Sequence, residues 1–398
     1  MQPVHKTPTT LRPVVSCSGS LSTVFSTWLD YKMKLLLPHV RSYVKNSTEI
    51  INDLKTLHIP DGALLFSADA TAMYTNIETN LGIAYIKNFI TSHQDKLPPN
   101  FPTNLLLLVL TVIMKSNVFT FADTYWLQLA GTAMGTPVAC AYATVSFGHY
   151  ENTTILTQFQ SNLIYYKRYI DDIIGIWLPS PRNNTATFNQ FKLQLNNWGS
   201  LRWTVEEPST CINFLDLNIS LKGSSIHTST FQKPLNLYLY IPPLSAHPPS
   251  CFKGLIYGEM KRYWLQNNPA DFIDILSKFI IRLCERGHKI EVLAPLITQA
   301  ASTLKHHYTI PKQKRDRDQN TLYIHWPFHP HGIQRHTIRQ LFNNILQPHI
   351  PFDKMQVAIS RSKNLKDILT RTAVSIPNDL SLNTMITQNR HRPISNQE

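Results

Sequence analysis

The sequence predicts an α+β protein, on three observations. Short apolar runs of strand character alternate irregularly with stretches that carry apolar residues at helical spacing. An apolar content of 43% over 398 residues is enough to fill a sizeable core, whether as two or three packed units or as one elongated, multi-lobed body. No internal repeat or low-complexity tract points to a solenoid or a disordered scaffold.

Leu11 to Ser16 has the character of a short β segment, followed by a Ser/Gly turn. Leu21 to Leu37 carries apolar residues at helical spacing, with Ser22 or Thr23 suited to cap it. After the Pro60-Asp61-Gly62 turn, Ala63 to Ala68 is a compact apolar run, expected as a buried strand that ends at Asp69. Helices are expected over Thr79 to Thr91 and Asn104 to Ser116, separated by the breakers of Pro98 to Pro102. Val118 to Leu129 alternates like a hairpin, and Thr136 to Asn152 reads as a helix entered behind Gly131 and Gly135.

Leu163 to Trp177 is apolar on both sides of a central Asp-Asp, the pattern of a β-hairpin with carboxylates at its tip. Trp203 to Glu206 and Asn213 to Leu221 are expected strands, with Lys222-Gly223-Ser224 as a turn. Beyond Tyr257 the pattern turns helical, most clearly over Ala270 to Arg286. Pro311 to Asn320 reads as an exposed linker before a smaller strand-plus-helix portion, and the polar tail from about Asn383 as loose chain.

The net charge of +13 is uneven. Residues 1–250 carry 17 Lys and Arg against 14 Asp and Glu, a balance of +3. Residues 251–398 carry 21 against 11, a balance of +10, which suits a polyanionic partner held mainly through the C-terminal portion. Met1 to Thr10 is polar, so no secretory leader is expected. The longest apolar run, Leu105 to Met114, is too short to cross a bilayer. Cys17, Cys140, Cys211, Cys251 and Cys284 lack paired spacing, so reduced and mostly buried thiols are expected, neither a disulfide framework nor a zinc ribbon.

Three motifs carry chemistry. In Phe66-Ser67-Ala68-Asp69-Ala70-Thr71-Ala72-Met73-Tyr74, a carboxylate ends a buried strand, where it needs a hydrogen bond, a partner or a metal. In Tyr169-Ile170-Asp171-Asp172, two adjacent carboxylates between apolar strands repel one another, and a divalent cation relieves that repulsion. In Gly131-Thr132-Ala133-Met134-Gly135-Thr136-Pro137, followed by small residues to Thr144, glycines allow a close backbone approach. Taken singly, an ordinary turn or tight packing explains each of them.

Their order, strand-Asp, Gly-rich helix entry and aromatic-x-Asp-Asp hairpin, resembles motifs A, B and C of reverse transcriptases. Leu11-Arg12-Pro13-Val14-Val15-Ser16 resembles the fingers segment that supplies an arginine to the triphosphate. Asp69 to Ile77 is similar to the Asp-Val-x-Ser-Leu-Tyr-Thr-Asn-Ile segment of Penelope-like retroelements, which are related to telomerase catalytic subunits. The likeness continues through Asn117 to Phe121, Gln128, Arg168 to Ile173, Phe214 to Leu217, Lys233-Pro234, His247-Pro248 and Lys363 to Leu369. It departs at Cys140-Ala141, where Ser-Pro is common. Nor is the family's C-terminal GIY-YIG endonuclease found before Glu398, and the chain begins almost at the Arg12 segment.

The resemblance implies a right-hand polymerase. Partial fingers would occupy residues 1–62, and a ferredoxin-like palm 63–225 with a finger insertion at about 79–125. A primer-facing hairpin and helical thumb would occupy 226–310, a basic C-terminal extension 311–382 and a loose tail 383–398. It further implies an RNA-directed DNA polymerase acting on an RNA template, a DNA primer and dNTPs. Asp69, Asp171 and Asp172 would be catalytic, with Asp69, Asp171 and the Ala70 carbonyl holding two Mg²⁺ ions, for which Mn²⁺ could substitute. Arg12, Tyr74, Met134 and Gly135 would bind nucleotide, and Lys167, Arg168 and Lys233 would contact primer or template. A truncated or domesticated copy that binds RNA or RNA–DNA hybrid without polymerising is the alternative.

Asp216 is expected to be structural. His325, His329, His331 and His336, interleaved with Trp326 and Phe328, are expected in an aromatic surface or core in preference to a metal site. Lys312 to Arg317 reads as a nuclear localisation signal or a solvated linker, and the chain is expected inside the cell, in the nucleus.

Overall fold

The computed structural model describes residues 15, 17, 20, 22–121, 124–180, 184–307, 320–329 and 332–360. Arg12, the rest of the Leu11–Ser16 segment apart from Val15, Lys312 to Arg317, His331 and Lys363 to Leu369 lie outside them. The chain forms two compact units, one running to Lys233 and one beginning at Pro234. Among the described residues no helix is long and apolar enough to cross a membrane.

The first unit begins with α1 (Ser22–Met33) and α2 (Ser47–Thr56), the latter capped by Asn46, whose side chain accepts from the Glu49 N–H. Then come β1 (Leu64–Ala70), the single turn α3 (Met73–Asn76), α4 (Thr79–Ser92) and α5 (Thr103–Lys115). The hairpin β2 (Val118–Phe121) and β3 (Thr124–Leu127) precedes α6 (Ala139–Tyr150), which runs on through a π-helical segment, Glu151–Ile155, into α7 (Leu156–Gln158). A second hairpin, β4 (Leu163–Tyr169) and β5 (Asp172–Trp177), is followed by α8 (Asn184–Leu195) and β6 (Trp203–Val205). The unit closes with the meander β7 (Cys211–Phe214), β8 (Leu217–Lys222) and β9 (Ser225–Thr230).

The central sheet has the order β4-β5-β1-β6, with every adjacent pair antiparallel. Helices cross over between β1 and β4 and between β5 and β6, so the chain runs β-α-β-β-α-β, the ferredoxin-like arrangement. The α+β expectation holds, and so does its ferredoxin-like core.

Side chains alternate across this sheet with the period of two that strands impose. Phe66, Ala68, Ile173 and Trp177 enter one core, under α1, α4, α5, α6 and α8. Leu65, Ile174 and Ile176 enter the other, covered by α2 and the β7-β8-β9 meander. In α6 every residue except Cys140 and His149 is buried, as befits a helix that is apolar all round. Phe66, Phe159, Trp177, Phe188 and Phe191 pack edge to face, tilted and, for Phe188 on Phe191, stacked in the first core, with ring centroids 5.1–6.1 Å apart.

Two expectations are corrected here. Asn213 to Leu221 is not one strand: the backbone reverses at Leu215, whose φ is +54°, so that Phe214 pairs with Leu217. Nor are the thiols mostly buried; all five cysteines are free, but only Cys17 is partly shielded and the other four are exposed. The four exposed ones stand at outward positions of strands and helices, Cys211 on β7 beside Asn218 and Cys140 on α6.

The second unit opens with the helices α9 (Pro249–Gln266), α10 (Pro269–Glu285) and α11 (Ile290–His307). Their shared core includes Ile256, Met260, Tyr263, Phe279, Leu283 and Leu293. Asn268 caps α10 by accepting from the Asp271 N–H at 2.9 Å, ahead of Pro269 in the first turn. Strands β10 (Thr321–Pro327) and β11 (Lys354–Ser360) pair in parallel, joined through α12 (Arg335–Leu341) and a π-helical turn, Phe342–Leu346. Trp326 packs on the small core of Ile338, Phe342, Met355 and Val357, whereas His325, His329 and His336 are exposed. No metal-binding group of three His, Cys, Asp or Glu forms among the described residues.

Candidate active site

The carboxylates gather where β1 and β5 end together. Antiparallel register sets Asp69 opposite Asp172, so their side chains leave the same face, with Cβ atoms about 4.5–5.5 Å apart. Further along that face Leu65, Ile174 and Ile176 are buried; at this end the covering layer stops, and Asp69 is exposed. Asp171 sits in the two-residue turn between Tyr169 and Asp172, which are themselves paired. The Ala70 N–H donates to the Asp171 carbonyl at 2.9 Å, tying that turn to the end of β1.

Burial, together with the charges of Asp171 and Asp69, pushes the Asp172 carboxyl up to about 6, and Lys233 offsets part of the rise. Asp172 therefore lies within reach of the charges of both Asp171 and Asp69. Carboxylate oxygens are the hard donors that Mg²⁺ prefers, and Asp69 and Asp171 are the residues here that could hold such an ion. The protein alone does not close three such side chains around one point. Phosphate and water oxygens would complete any coordination, as is usual for Mg²⁺.

Tyr74 lies beside the acids on α3, which follows a left-handed residue, Ala72 (φ +46°). Its phenol hydrogen-bonds the Cys140 thiol at 3.2 Å, and burial first, then Cys140 and Asp171, raises its pKa, so it stays neutral. The Gly-rich segment lies against the same turn. The Thr132 N–H donates to the Tyr74 carbonyl at 2.6 Å, and Gly131, with φ +70°, leaves no room for a side chain, since a Cβ would stand 2.2 Å from that carbonyl. Gly135 is exposed and meets the backbone of Val15, whose N–H donates to the Met134 carbonyl at 3.0 Å. Arg12 lies outside the described residues.

Lys233 is exposed and close to Asp172. Lys167 is partly buried and donates to the Arg41 carbonyl at 3.2 Å. Arg168, expected to contact primer or template, is fully buried on the helix side of the sheet, opposite the acids. Its guanidinium makes four hydrogen bonds, to Glu151, Thr144 and Ile170, and being fully buried it has no surface to offer a nucleic acid. Asp216 occupies the β7–β8 turn, where its backbone carbonyl accepts from the Phe231 N–H. The sequence reading missed Cys140 as partner of Tyr74 and Glu151 as partner of Arg168. Glu151 had one visible signal: a lone acid ending a helix of otherwise small and apolar residues needs a buried cation.

No protein-family model and no curated protein sequence matches the chain. Among solved structures it is similar to a telomerase from Candida albicans in complex with a fragment of telomeric RNA. Identity there is 10% with a TM-score of 0.49, covering 73% of this chain and 53% of that one. It is similar also to apo telomerase from Candida tropicalis truncated from its C-terminal domain, at 14% identity and a TM-score of 0.39, covering 52% and 45% of the two chains. The RNA-dependent RNA polymerase of BmCPV at elongation state is 14% identical with a TM-score of 0.47, covering 66% of this chain and 24% of that one. The chain therefore spans about half or less of the length of these proteins.

Proposed function

We propose that the chain is a template-directed nucleotidyl transferase, specifically an RNA-directed DNA polymerase of the Penelope-like kind. One observation carries this reading: on a ferredoxin-like sheet, Asp69 and Asp172 are paired across β1 and β5, with Asp171 in the adjoining turn. The elevated Asp172 carboxyl marks that cluster as short of positive charge. When bound, two Mg²⁺ ions would supply charge neutralisation on the triphosphate and acidify the primer 3′-hydroxyl. Asp69 and Asp171, with the Ala70 carbonyl, are the donors suited to hold them. Tyr74, hydrogen-bonded to Cys140, would crowd a sugar 2′-hydroxyl and so favour deoxynucleotides. Met134 and Gly135 belong to the adjoining loop, and Lys233, close enough to lower the Asp172 carboxyl, would contact the primer. No protein nucleophile is needed; positioning and electrostatics carry the reaction.

Primer extension on poly-rA/oligo-dT with Mg²⁺ or Mn²⁺ tests this. Wild type is expected to incorporate dNTPs, and Asp171→Ala to abolish incorporation while leaving hybrid binding in place. If wild type incorporates no more than Asp171→Ala, the polymerase reading fails. Salt-sensitive binding without extension would instead indicate a hybrid-binding protein.

A further inference from the structure

Beneath the carboxylate turn, on the opposite face of the sheet, lies a buried charge network that the proposed reaction does not use. Arg168 and Glu151 have side chains 0% exposed. The guanidinium grips the carboxylate as a fork, Nε to Oε1 at 2.8 Å and Nη2 to Oε2 at 2.7 Å. Glu151 accepts also from the Tyr166 hydroxyl at 2.9 Å and the Ser42 hydroxyl at 2.5 Å. Nη2 donates in addition to the Thr144 carbonyl on α6 at 2.9 Å. A buried ion pair is weak evidence for stability, because two apolar residues of similar volume often serve as well. What apolar residues could not supply is the remaining bond: Nη1 donates to the Ile170 carbonyl at 2.8 Å.

That carbonyl belongs to a strained residue. Ile170 has φ +55°, a left-handed conformation that a β-branched side chain disfavours and that persists only where the surroundings enforce it. The next carbonyl along, that of Asp171, is held from another side by the Ala70 N–H at 2.9 Å. Two successive carbonyls are thus fixed from two elements, the helix layer through Arg168 and the sheet through β1. We propose that Arg168, oriented by Glu151, is a positioning residue that locks the Ile170–Asp171 turn and so fixes the Asp171 carboxylate for catalysis. The inference deepens the polymerase reading and, in its catalytic part, rests on it.

The test compares wild type with the double variant Arg168→Met/Glu151→Met, which removes both buried charges together, and with Arg168→Lys. The lysine variant keeps a cation beside Glu151 but cannot reach three acceptors in a plane. Thermal unfolding, hybrid binding, steady-state primer extension and amide hydrogen exchange over residues 163–177 are measured on the full chain. The expected double variant is folded, binds hybrid like wild type, exchanges faster only at the turn, and loses about 100-fold in kcat with KM for the hybrid unchanged. A purely structural pair would instead speed exchange across the whole sheet and lower Tm, with activity following the folded fraction. That pattern, or a folded variant with wild-type exchange and wild-type kcat, overturns the proposal. Should the double variant fail to fold, Arg168→Lys carries the same comparison. If wild type extends no primer, the polymerase reading fails, while faster exchange confined to the turn still supports the lock.

Discussion

Replacing Asp172 by Asn removes one of three mutually repelling acids while keeping the shape of the side chain. Its carboxyl stands at about 6 in the folded chain against an ordinary 3.8, raised by burial and then by Asp171 and Asp69. A raised acid weakens the folded state once ionised. Below about pH 3.8 both folded and unfolded forms are protonated and the effect vanishes; as pH rises the unfolded chain ionises first, and above about pH 6 the full penalty is present. A rise from 3.8 to about 6 sets a ceiling of ~3 kcal/mol, at ~1.36 kcal/mol per pH unit. Water still reaches part of this carboxyl, and screening reduces the figure to ~1–2 kcal/mol.

Asp172→Asn should therefore stabilise the metal-free protein at pH 8. For a unit of this size the gain corresponds to ~2–8 °C in Tm. At pH 4.5 linkage leaves about a third of it. Scanning fluorimetry across this range in EDTA reads the effect directly. Adding Mg²⁺ should raise the Tm of wild type more than that of the variant, because the ion relieves the same repulsion. An equal gain at both pH values, or a loss at pH 8, would show that the ionised carboxylate is not the source of the penalty.

Two further substitutions probe the scaffold. Phe191 is 0% exposed and its ring meets those of Phe66, Phe159, Trp177 and Phe188, so Phe191→Ala should cost ~3–5 kcal/mol by denaturant unfolding, with the m-value unchanged. At Gly131 a Cβ would stand 2.2 Å from the Tyr74 carbonyl on a backbone with φ +70°, so Gly131→Ala should lower Tm and displace Tyr74. In a primer-extension assay that displacement reads as a raised KM for dNTP with hybrid binding retained.

The parts of this fold that could be read from the sequence are those with local causes. The apolar stretches on both sides of the central acids in Leu163 to Trp177 foretold the β4–β5 hairpin, and the run from Ala63 foretold β1. The break at Leu215 could not be read, because only Asp216 offers a turn-forming side chain and Leu215 must itself take φ +54°. Nothing local says that Asp69 faces Asp172; that follows from the order β4-β5-β1-β6, set by long-range packing. Arg168 was misplaced for a related reason. A cation next to two acids suggests the surface, whereas its partner Glu151 stands on a different element, and buried ion pairs leave no signature at fixed spacing.

Alternation along β4 also explains why the site keeps its appetite for cations. Tyr169 pairs with Asp172 and shares its face, whereas Arg168, one residue earlier, points to the helix layer. A slip of one residue would bring the guanidinium among the acids, because every side chain of the strand would change face. It would then neutralise Asp69 and Asp172 and compete with any metal for their oxygens. In the observed register Glu151 absorbs the charge of Arg168 instead, at 2.7 Å and away from solvent. Lys233 offsets but does not cancel the upward push on the Asp172 carboxyl. The hairpin thus separates its charges by face. One side is internally neutral and rigid; the other stays negative at its open end, where a divalent cation and a triphosphate would together complete it.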